Sequence, residues 1–476
     1  MPRPKARRCS RRFSATGAEV QSALAAVGQF RHRADMTVSA PRRILGPFAA
    51  ASVVVGMVVG AGIFRSASVV AATLNNDALV LLAWALGGVF ALAGALVYAE
   101  LASAFPHPGG DYRFLKLAFG PLVGFLFAWS RFAVIFSASA AMLAFVAADY
   151  AAELLPLSAA ARGGVAALAI AVLTALNLAG VKRSTGGQVV LVTGDVIALL
   201  ALGGAAASLI ASGTPPLNPV PAAQPFGAAA FGQAMVFVML AFGGFNDAAT
   251  LSAEVRRPRD MTLALVGGMG LVTALYLLAN WAYLVGLGGA GLAASAAPAA
   301  QLMALAFGPA GQVAMVIFVG LAALAIVNAL VIVGGRTLYA VAGDEPALAR
   351  LAAWDDAAGV PRRAIWVQCA LSLLLIAWGS ASTGFAQMVD FLSPVFWLFL
   401  SLTGPALIIL RRRAPDVPRP FRVPLYPLVP LAFCGGCLFV LQSSLRYVGW
   451  QGAGISFGVL AAGLLLRLAL KAPSQP

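Results

Sequence analysis

Two short stretches, GMVVGAGIF at residues 56–64 and LAFGGFND at residues 240–247, decide the fold, because each places glycines inside a long apolar run. Glycine has no Cβ, so it can leave helical geometry at little steric cost. A break in a helix frees backbone N–H and C=O groups, which membrane depth tolerates only when they are buried or face a water-filled cavity. The two stretches therefore predict interrupted helices whose freed backbone groups can bind a ligand.

The apolar runs around these stretches predict an all-α integral membrane protein. Of the 476 residues, 61% are hydrophobic and only 10% are charged, and the mean hydropathy is +0.89. Soluble domains carry roughly 25% charged residues. The runs are about 20 residues long and continuous, which is typical of transmembrane helices and not of barrel strands. They predict twelve spans, at about 45–72, 78–104, 121–150, 162–180, 188–212, 231–254, 262–287, 311–341, 364–380, 385–410, 424–443 and 449–470.

The basic residues predict the orientation of these spans. The formal net charge is +15, but the basic residues sit in short loops between apolar runs, which indicates positive-inside topology and not nucleic-acid binding. With the N-terminus inside, all but four of the 32 Lys and Arg residues fall on the cytoplasmic side. The exceptions are Arg65, Arg131, Arg162 and Arg446. We therefore expect a multi-pass protein of the cell (inner) membrane with both termini cytoplasmic.

The two glycine stretches lie in spans one and six, so five crossings separate them. A repeat of five helices must then be inserted upside down relative to the first, and such inverted repeats place a substrate site at the membrane midplane. The alternative interpretation is that the glycines only permit close helix packing. The predicted organisation is a disordered basic cytoplasmic tail (1–44), a first repeat (45–212), a second repeat (231–410), two extra helices (424–470) and a short tail (471–476). An Ala-rich stretch at 292–307 is expected to form a short outer surface helix.

Several motifs carry a family resemblance. They are GAGIF at 60–64, YAEL at 98–101, PGGDY at 108–112, FGGFNDAATLSAEVRRPRD at 242–260, RTLY at 336–339 and RPFR at 419–422. The sequence resembles the amino acid–polyamine–organocation transporter superfamily, nearest to its L-type amino acid transporter branch. The resemblance implies a secondary active transporter of amino acids that works by alternating access and is either proton-coupled or exchanging. A polyamine or organic amine transporter and a nutrient sensor on the same fold are the alternatives.

The resemblance also implies how a zwitterion would bind. Backbone N–H groups of Ala61, Gly62 and Ile63 would hold the carboxylate. The carbonyls that would hold the ammonium are those of Val58, Leu240, Ala241 and Gly243. The ends of half-helices offer the same chemistry on physical grounds. The chain has Ala61 where many relatives have Ser, and Leu240 where many have an aromatic gate. The predicted substrate-binding residues are Val58, Gly60, Ala61, Gly62, Ile63, Leu240, Ala241, Phe242, Gly243, Phe245 and Asn246.

Ionisable residues within spans are costly and usually functional. Arg131 and Asp195 are expected ~15 Å and ~10 Å from the inner ends of their spans, and we hypothesise that they pair. In the family that the sequence resembles, many members have Lys at the Asp195 position, where it is associated with replacing sodium or with proton coupling. Here the charge at this position is reversed, and Arg131 on the neighbouring helix would restore the positive charge. A purely structural ion pair, and an Arg131 that binds an acidic substrate, are the alternatives. Asp247, with Asn246, would either line the cavity or hydrogen-bond the broken backbone. Arg131, Asp195 and Asp247 are the predicted coupling or gating residues.

The remaining polar residues point to no other chemistry. We expect no metal and no cofactor, because the two histidines lie in polar segments and no phosphate-binding loop or HExxH motif is present. An enzyme is therefore not expected. The predicted partners are a small amino acid or amine, a proton as candidate coupling ion and the lipid bilayer, with no nucleic acid and no obligate protein partner. Glu100 and Asp390 are expected near water at span ends, and Arg65 is expected to snorkel outward.

Overall fold

The computed structural model describes residues 46–60, 62–107, 109–179, 185–219, 225–344, 346–355 and 360–471. Across these ranges the regular elements are helices, and the only β pairing is one isolated bridge between Asp355 and Val360. A π-helical segment, Arg131–Phe136, joins α5 to α6, and 3₁₀ turns cover Ala249–Ala253 and Pro346–Leu351. The helices are α1 Pro47–Val58, α2 Ile63–Leu74, α3 Asp77–Ala104, α4 Asp111–Phe119, α5 Pro121–Ser130, α6 Ser137–Ala151, α7 Ala159–Leu178, α8 Thr185–Ala211, α9 Ala228–Ala241, α10 Phe245–Ala248, α11 Pro258–Ala294, α12 Pro298–Asp344, α13 Arg362–Ser380, α14 Phe385–Ser401, α15 Thr403–Arg413 and α16 Leu428–Lys471.

Many of these helices have the length and composition of membrane spans. Among the described residues, ten helical segments are long and apolar enough to cross a bilayer, and the number is eleven when α1 and α2 are counted as one bent span. The prediction of an all-helical, multi-pass membrane protein is confirmed at this level.

Helix ends follow local sequence chemistry. The side chain of Asn76 accepts the Leu79 N–H at 3.1 Å and caps α3, and Ser158 caps α7 by accepting the Ala161 N–H at 3.2 Å. Such caps satisfy backbone donors that the first helical turn leaves without partners. Proline occupies the first turn of α1, α5 and α11, where its fixed φ favours helix initiation.

Two of the long helices are divided by non-helical glycines. Helix α16 is divided at Gly449, whose φ is 69° and ψ is 179°, and its two pieces correspond to the separately predicted spans 424–443 and 449–470. The helix expected within 292–307 is the beginning of α12, ahead of a bend at Gly308, whose φ is 68°. Its residues Ala299, Ala300 and Leu302 are fully buried, so this piece packs against the bundle and is not a purely surface helix.

Glycines let the helices approach closely at several crossings. A Cβ on Gly88 of α3 would lie 2.2 Å from the Thr273 side chain of α11, and one on Gly163 of α7 would lie 2.1 Å from Ser380 of α13. These glycines act as packing residues, as small residues do between membrane helices. Close packing therefore explains some of the glycines of this chain.

Candidate functional site

The first interrupted helix breaks where the glycines predict it. Helix α1 ends at Val58, Val59 has the non-helical dihedrals φ −72° and ψ 100°, and α2 begins at Ile63. The two helices are bent by 48° relative to each other. The N–H of Ile63 donates to the Gly60 carbonyl at 3.3 Å, so one predicted carboxylate donor has a backbone partner in this conformation. Ala61 lies outside the described residues.

The second break lies between α9 and α10. Gly243 N–H donates to the Leu240 carbonyl at 3.0 Å, and Gly244 adopts φ 109° and ψ −26°. The Asn246 side chain accepts the Gly244 N–H at 3.2 Å. The Asn246 side chain therefore hydrogen-bonds to the broken backbone, one of the two roles open for it, and it also lines the cleft described below.

The two breaks touch each other. A Cβ on Gly244 would lie 2.2 Å from the Met57 carbonyl oxygen and 3.3 Å from the Val58 Cα. Only a residue without a side chain allows the two backbones to approach this closely. The positive φ of Gly244 adds a second requirement for glycine. The break in α9–α10 thus docks directly on the end of α1.

A tyrosine that sequence reasoning missed joins the same two ends. The Tyr276 hydroxyl on α11 donates to the Val58 carbonyl at 3.0 Å and to the Ala241 carbonyl at 3.1 Å. A hydroxyl has one proton to share between these two acceptors. Tyr276 is fully buried within a long apolar helix, and nothing in the sequence shows which way it faces. It occupies the space between two carbonyls that were predicted to hold an ammonium group.

Aromatic residues pack around Tyr276 and the second break. The ring of Tyr276 contacts Trp84 and Phe242 with centroid distances of 5.6 and 5.0 Å, and Phe245 packs edge-on against Tyr98 at 5.6 Å. Phe242 and Phe245 are buried, so they anchor the broken segment in the bundle. A substrate contact by these two residues stays a prediction.

Arg131 does not pair with Asp195. Instead it donates a hydrogen bond to the carboxylate of Asp247 in an ion pair, and its other terminal nitrogen lies 3.9 Å from Asp111 Oδ2. Asp195 is 5% exposed, and its Oδ1 has no hydrogen-bond partner among the described residues. Helix α8, which carries Asp195, packs against α11, which carries Tyr276. The hypothesised Arg131–Asp195 pair is therefore wrong.

The physical reason for this error is the local helix geometry at Arg131. Arg131 begins the π-helical segment, and the Ser137 hydroxyl donates to the carbonyl of Phe132, five residues earlier, at 2.8 Å. A π-helical turn holds an extra residue and changes which way the following side chains face. The guanidinium is packed against the Phe136 ring, 4.5 Å from its centroid. Sequence spacing alone cannot predict this direction.

A cleft lies beside the Arg131–Asp247 pair, next to the second break. Water-sized spheres can be centred in about 20 Å³ of it, so in this conformation the cleft has room for about one water molecule. A Cβ on Gly243 would lie 3.8 Å from the ring of Phe396, one of the cleft residues. The cleft is lined by Asp111, Phe127, Arg131, Ile135, Asn246, Asp247, Phe396, Phe399 and Leu400.

Two further charged residues are placed differently from the expectation. Glu100 is fully buried and accepts hydrogen bonds from Arg411 Nε and the Val423 N–H, both at 2.7 Å, while Arg419 lies 3.7 Å away. Arg65 does not snorkel but faces Asp149 at 3.4 Å. Because these partners are distant in sequence, only the packing of the helices reveals them.

A bundle of membrane-length helices, interrupted at two facing points beside a charged cleft, defines a membrane transport protein. Comparison with known proteins agrees with this class. The sequence matches the amino acid permease family over residues 45–454. It is 29% identical over 409 residues to the large neutral amino acids transporter small subunit 2 of Rattus norvegicus, covering 82% of this chain and 74% of that protein.

Two other relatives extend the comparison. The human cystine/glutamate transporter is 28% identical over 419 residues, covering 87% of this chain and 82% of that protein. The serine/threonine exchanger SteT of Bacillus subtilis is 26% identical over 442 residues, covering 90% of this chain and 97% of that protein. The chain belongs to the amino acid permease family. It is an amino acid transporter of the L-type branch and not an enzyme.

Proposed function

We propose that this protein moves amino acids by alternating access, either by exchange or together with a proton, through a site formed where the two broken helices meet. The observation that carries the proposal is the contact of Gly244 with Met57 and Val58, because it brings both interrupted backbones to one point. Freed backbone groups at such a point recognise the charged ends of an amino acid and leave its side chain to the surrounding pocket.

The proposed architecture has twelve spans, with two inverted repeats of five helices and two extra C-terminal helices. Helix α16 supports this count, because the non-helical Gly449 divides it into the pieces 428–448 and 450–471, each ~32 Å long and so about as long as the ~30 Å hydrocarbon core of a bilayer. Contacts between equivalent helices support the repeats: α2 packs on α9, α3 on α11, α6 on α12 and α7 on α13. The proposed repeats span residues 45–212 and 231–410, and the extra helices span 424–470.

The proposed orientation places both termini in the cytoplasm, with the protein in the cell (inner) membrane. The excess of Lys and Arg in alternate loops supports this orientation. The cleft beside Arg131 would then open toward the cytoplasm, because Asp111 lies in the predicted cytoplasmic connection between α3 and α5. The predicted tails at 1–44 and 472–476 lie outside the described residues.

In the proposed binding mode the ammonium group of the substrate replaces the Tyr276 hydroxyl at the carbonyls of Val58 and Ala241. A cation is favoured at these carbonyls because they lie at the C-terminal ends of α1 and α9. The carboxylate would meet the N–H groups between Gly60 and Ile63, at the N-terminal end of α2. Asp195, close to Tyr276, would stabilise the ammonium group, and the Arg131–Asp247 pair would close the cleft.

The test is counterflow of labelled amino acids in proteoliposomes that contain the purified protein. The names of the relatives suggest the panel: leucine, phenylalanine, cystine, glutamate, serine and threonine, with putrescine as an amine. We expect accumulation of at least one amino acid that requires unlabelled substrate inside or an inward proton gradient. Accumulation of putrescine alone would support the amine alternative, and binding without accumulation would support a sensor.

Replacing Tyr276 with phenylalanine is expected to lower the KM for exchange, by up to about tenfold. The change leaves the carbonyls of Val58 and Ala241 without their hydroxyl partner in the empty site, and each unpaired buried acceptor costs about 1–3 kcal/mol. The substrate ammonium then recovers more free energy when it binds. The measurement is counterflow over a range of substrate concentrations.

The matched control for this prediction is Tyr283→Phe, two helical turns further along α11. Tyr283 is also fully buried, but its hydroxyl has no hydrogen-bond partner among the described residues. We expect the KM of this variant to equal that of the wild type. A raised KM for Tyr276→Phe would show that the hydroxyl binds substrate and does not compete with it.

A further inference from the structure

The charged cluster at the cleft contains one cation and two carboxylates. Arg131 pairs with Asp247 and lies 3.9 Å from Asp111. In the stretches that the structure covers, no other Lys or Arg nitrogen lies within 4 Å of either carboxylate. A fully ionised cluster therefore has a surplus negative charge. Burying an unpaired carboxylate is unfavourable, and such a group usually binds a proton instead.

Asp111 is the member of the cluster suited to bind that proton. Its side chain is 4% exposed, whereas that of Asp247 is 36% exposed. Its Oδ1 is buried and has no hydrogen-bond partner among the described residues, while its Oδ2 accepts from the Asn246 amide at 3.4 Å. An oxygen with no donor facing it is free to carry a hydrogen atom.

The groups that face Asp111 come from three elements. Tyr98 faces it from α3, Arg131 from the π-helical segment, and Asn246 and Asp247 from α10. Burial raises the pKa of Asp111 to about 7, and Asp247 acts in the same direction, while Arg131 and the Asn246 amide oppose the rise. Thr403 on α15 contributes a neutral hydroxyl 3.2 Å from that of Tyr98.

We propose that Asp111 is a pH-sensitive positioning residue that controls the opening of the cleft by competing with Asp247 for Arg131. Protonated Asp111 is a poor partner for the guanidinium, so Arg131 stays paired with Asp247 and the cleft is closed. When Asp111 releases its proton to water in the cleft, its carboxylate attracts Arg131, and Asp247 becomes free to move away with α10. The proposal rests on the transport function proposed above.

The sign of the pH dependence follows from this competition. Raising the pH on the cleft side deprotonates Asp111 and favours opening. For a group that titrates near neutral pH, the ionised fraction rises from roughly 10% one unit below its pKa to roughly 90% one unit above it. We therefore expect exchange by the wild type to be several-fold faster at pH 8 than at pH 6 on that side, with the pH on the opposite side held constant.

Substitutions at Asp111 separate this role from a structural one. Asp111→Asn mimics the protonated acid, so exchange should be slow and equal at both pH values, close to the wild-type rate at pH 6. Asp111→Glu retains a titratable carboxyl and should keep the pH dependence. Asp260→Asn is the control, because this carboxyl lies at the start of α11, outside the cluster, and its loss should leave the profile unchanged.

A second measurement does not require transport. Leu400 lines the cleft and is 5% exposed, so the rate at which a hydrophilic maleimide labels Leu400→Cys reports opening. Labelling should be several-fold faster at pH 8 than at pH 6, and this difference should vanish when Asp111→Asn is added. Because maleimides react faster with thiols at higher pH, each labelling rate is divided by the rate measured for free cysteine at the same pH.

The outcomes distinguish the two proposals. If exchange or labelling by the Asp111→Asn variant still depends on pH as in the wild type, the proposed role of Asp111 is overturned and the transport function is unaffected. The same conclusion would follow if the wild type exchanged amino acids at equal rates at both pH values. If no substrate is exchanged but labelling depends on pH through Asp111, the transport proposal fails and the control of the cleft stands.

Discussion

Replacing Gly244 with alanine is expected to reduce exchange to about 1% of the wild-type rate or less. The new Cβ would lie 2.2 Å from the Met57 carbonyl oxygen, and backbone atoms of α1 cannot move aside as a flexible side chain can. The φ of 109° adds strain of about 1–3 kcal/mol for a residue with a side chain. Roughly 1.4 kcal/mol corresponds to a factor of ten in rate or population, so the clash and the strain together separate the two breaks.

The measurement is counterflow in proteoliposomes, with the amount of folded protein checked by size-exclusion chromatography. Gly270→Ala on α11 is the matched control, because a Cβ there has no neighbour within 4 Å and alanine favours the helix. We expect the control to transport as the wild type does. Wild-type exchange by Gly244→Ala would mean that the breaks do not need to touch for transport.

Replacing Glu100 with glutamine is expected to destabilise the folded protein by about 3–5 kcal/mol, because removing one partner leaves buried charges unpaired. The carboxylate is fully buried and binds Arg411, Arg419 and the Val423 N–H. It holds the end of α3 against α15 and the chain that follows it. Burial lowers the pKa of Arg419 while Glu100 raises it, so Glu100 offsets part of the cost of burying this guanidinium.

Thermal unfolding in detergent measures this effect, and we expect the midpoint to fall by several degrees. Glu153→Gln is the control, since its carboxylate is partly exposed and, among the described residues, its hydrogen bond is a 3.4 Å contact with Gln312. This control should unfold within about a degree of the wild type, as surface substitutions usually change stability by less than ~0.5 kcal/mol. An unchanged midpoint for Glu100→Gln would show that water, and not Glu100, solvates the two arginines.

The elements that could be predicted are those encoded by local composition. Long apolar runs predicted the spans, since a helix is the structure in which a lipid-exposed chain satisfies its own backbone. Glycine clusters predicted the breaks at Val59 and at Gly243–Gly244, since glycine weakens a helix, although only Gly244 has a positive φ that itself requires glycine. The hydrogen bond from the broken backbone to Asn246 was one of two predicted alternatives. A polar side chain directly after a glycine break is visible in the sequence and indicates such a bond.

The contacts that could not be predicted depend on the facing of residues around helix axes. Arg131 was paired with Asp195 because both were placed near the same depth, but the π-helical segment at Arg131 turns its side chain toward Asp247. Tyr276 and Asp111 were assigned no role, although the PGGDY motif contains Asp111. In a uniformly apolar span every face has the same composition, so periodicity does not reveal which residues face the centre.

For this protein the sequence by itself determined that the chain spans the membrane many times, that its helices break at two places, and that it belongs among the amino acid permeases. Those features arise from composition and backbone chemistry within a few consecutive residues. Only the tertiary structure decided that the two breaks touch at Gly244, that Tyr276 joins them, and which acid Arg131 binds. These are contacts between residues on different helices, and they depend on how each helix is rotated within the packed bundle.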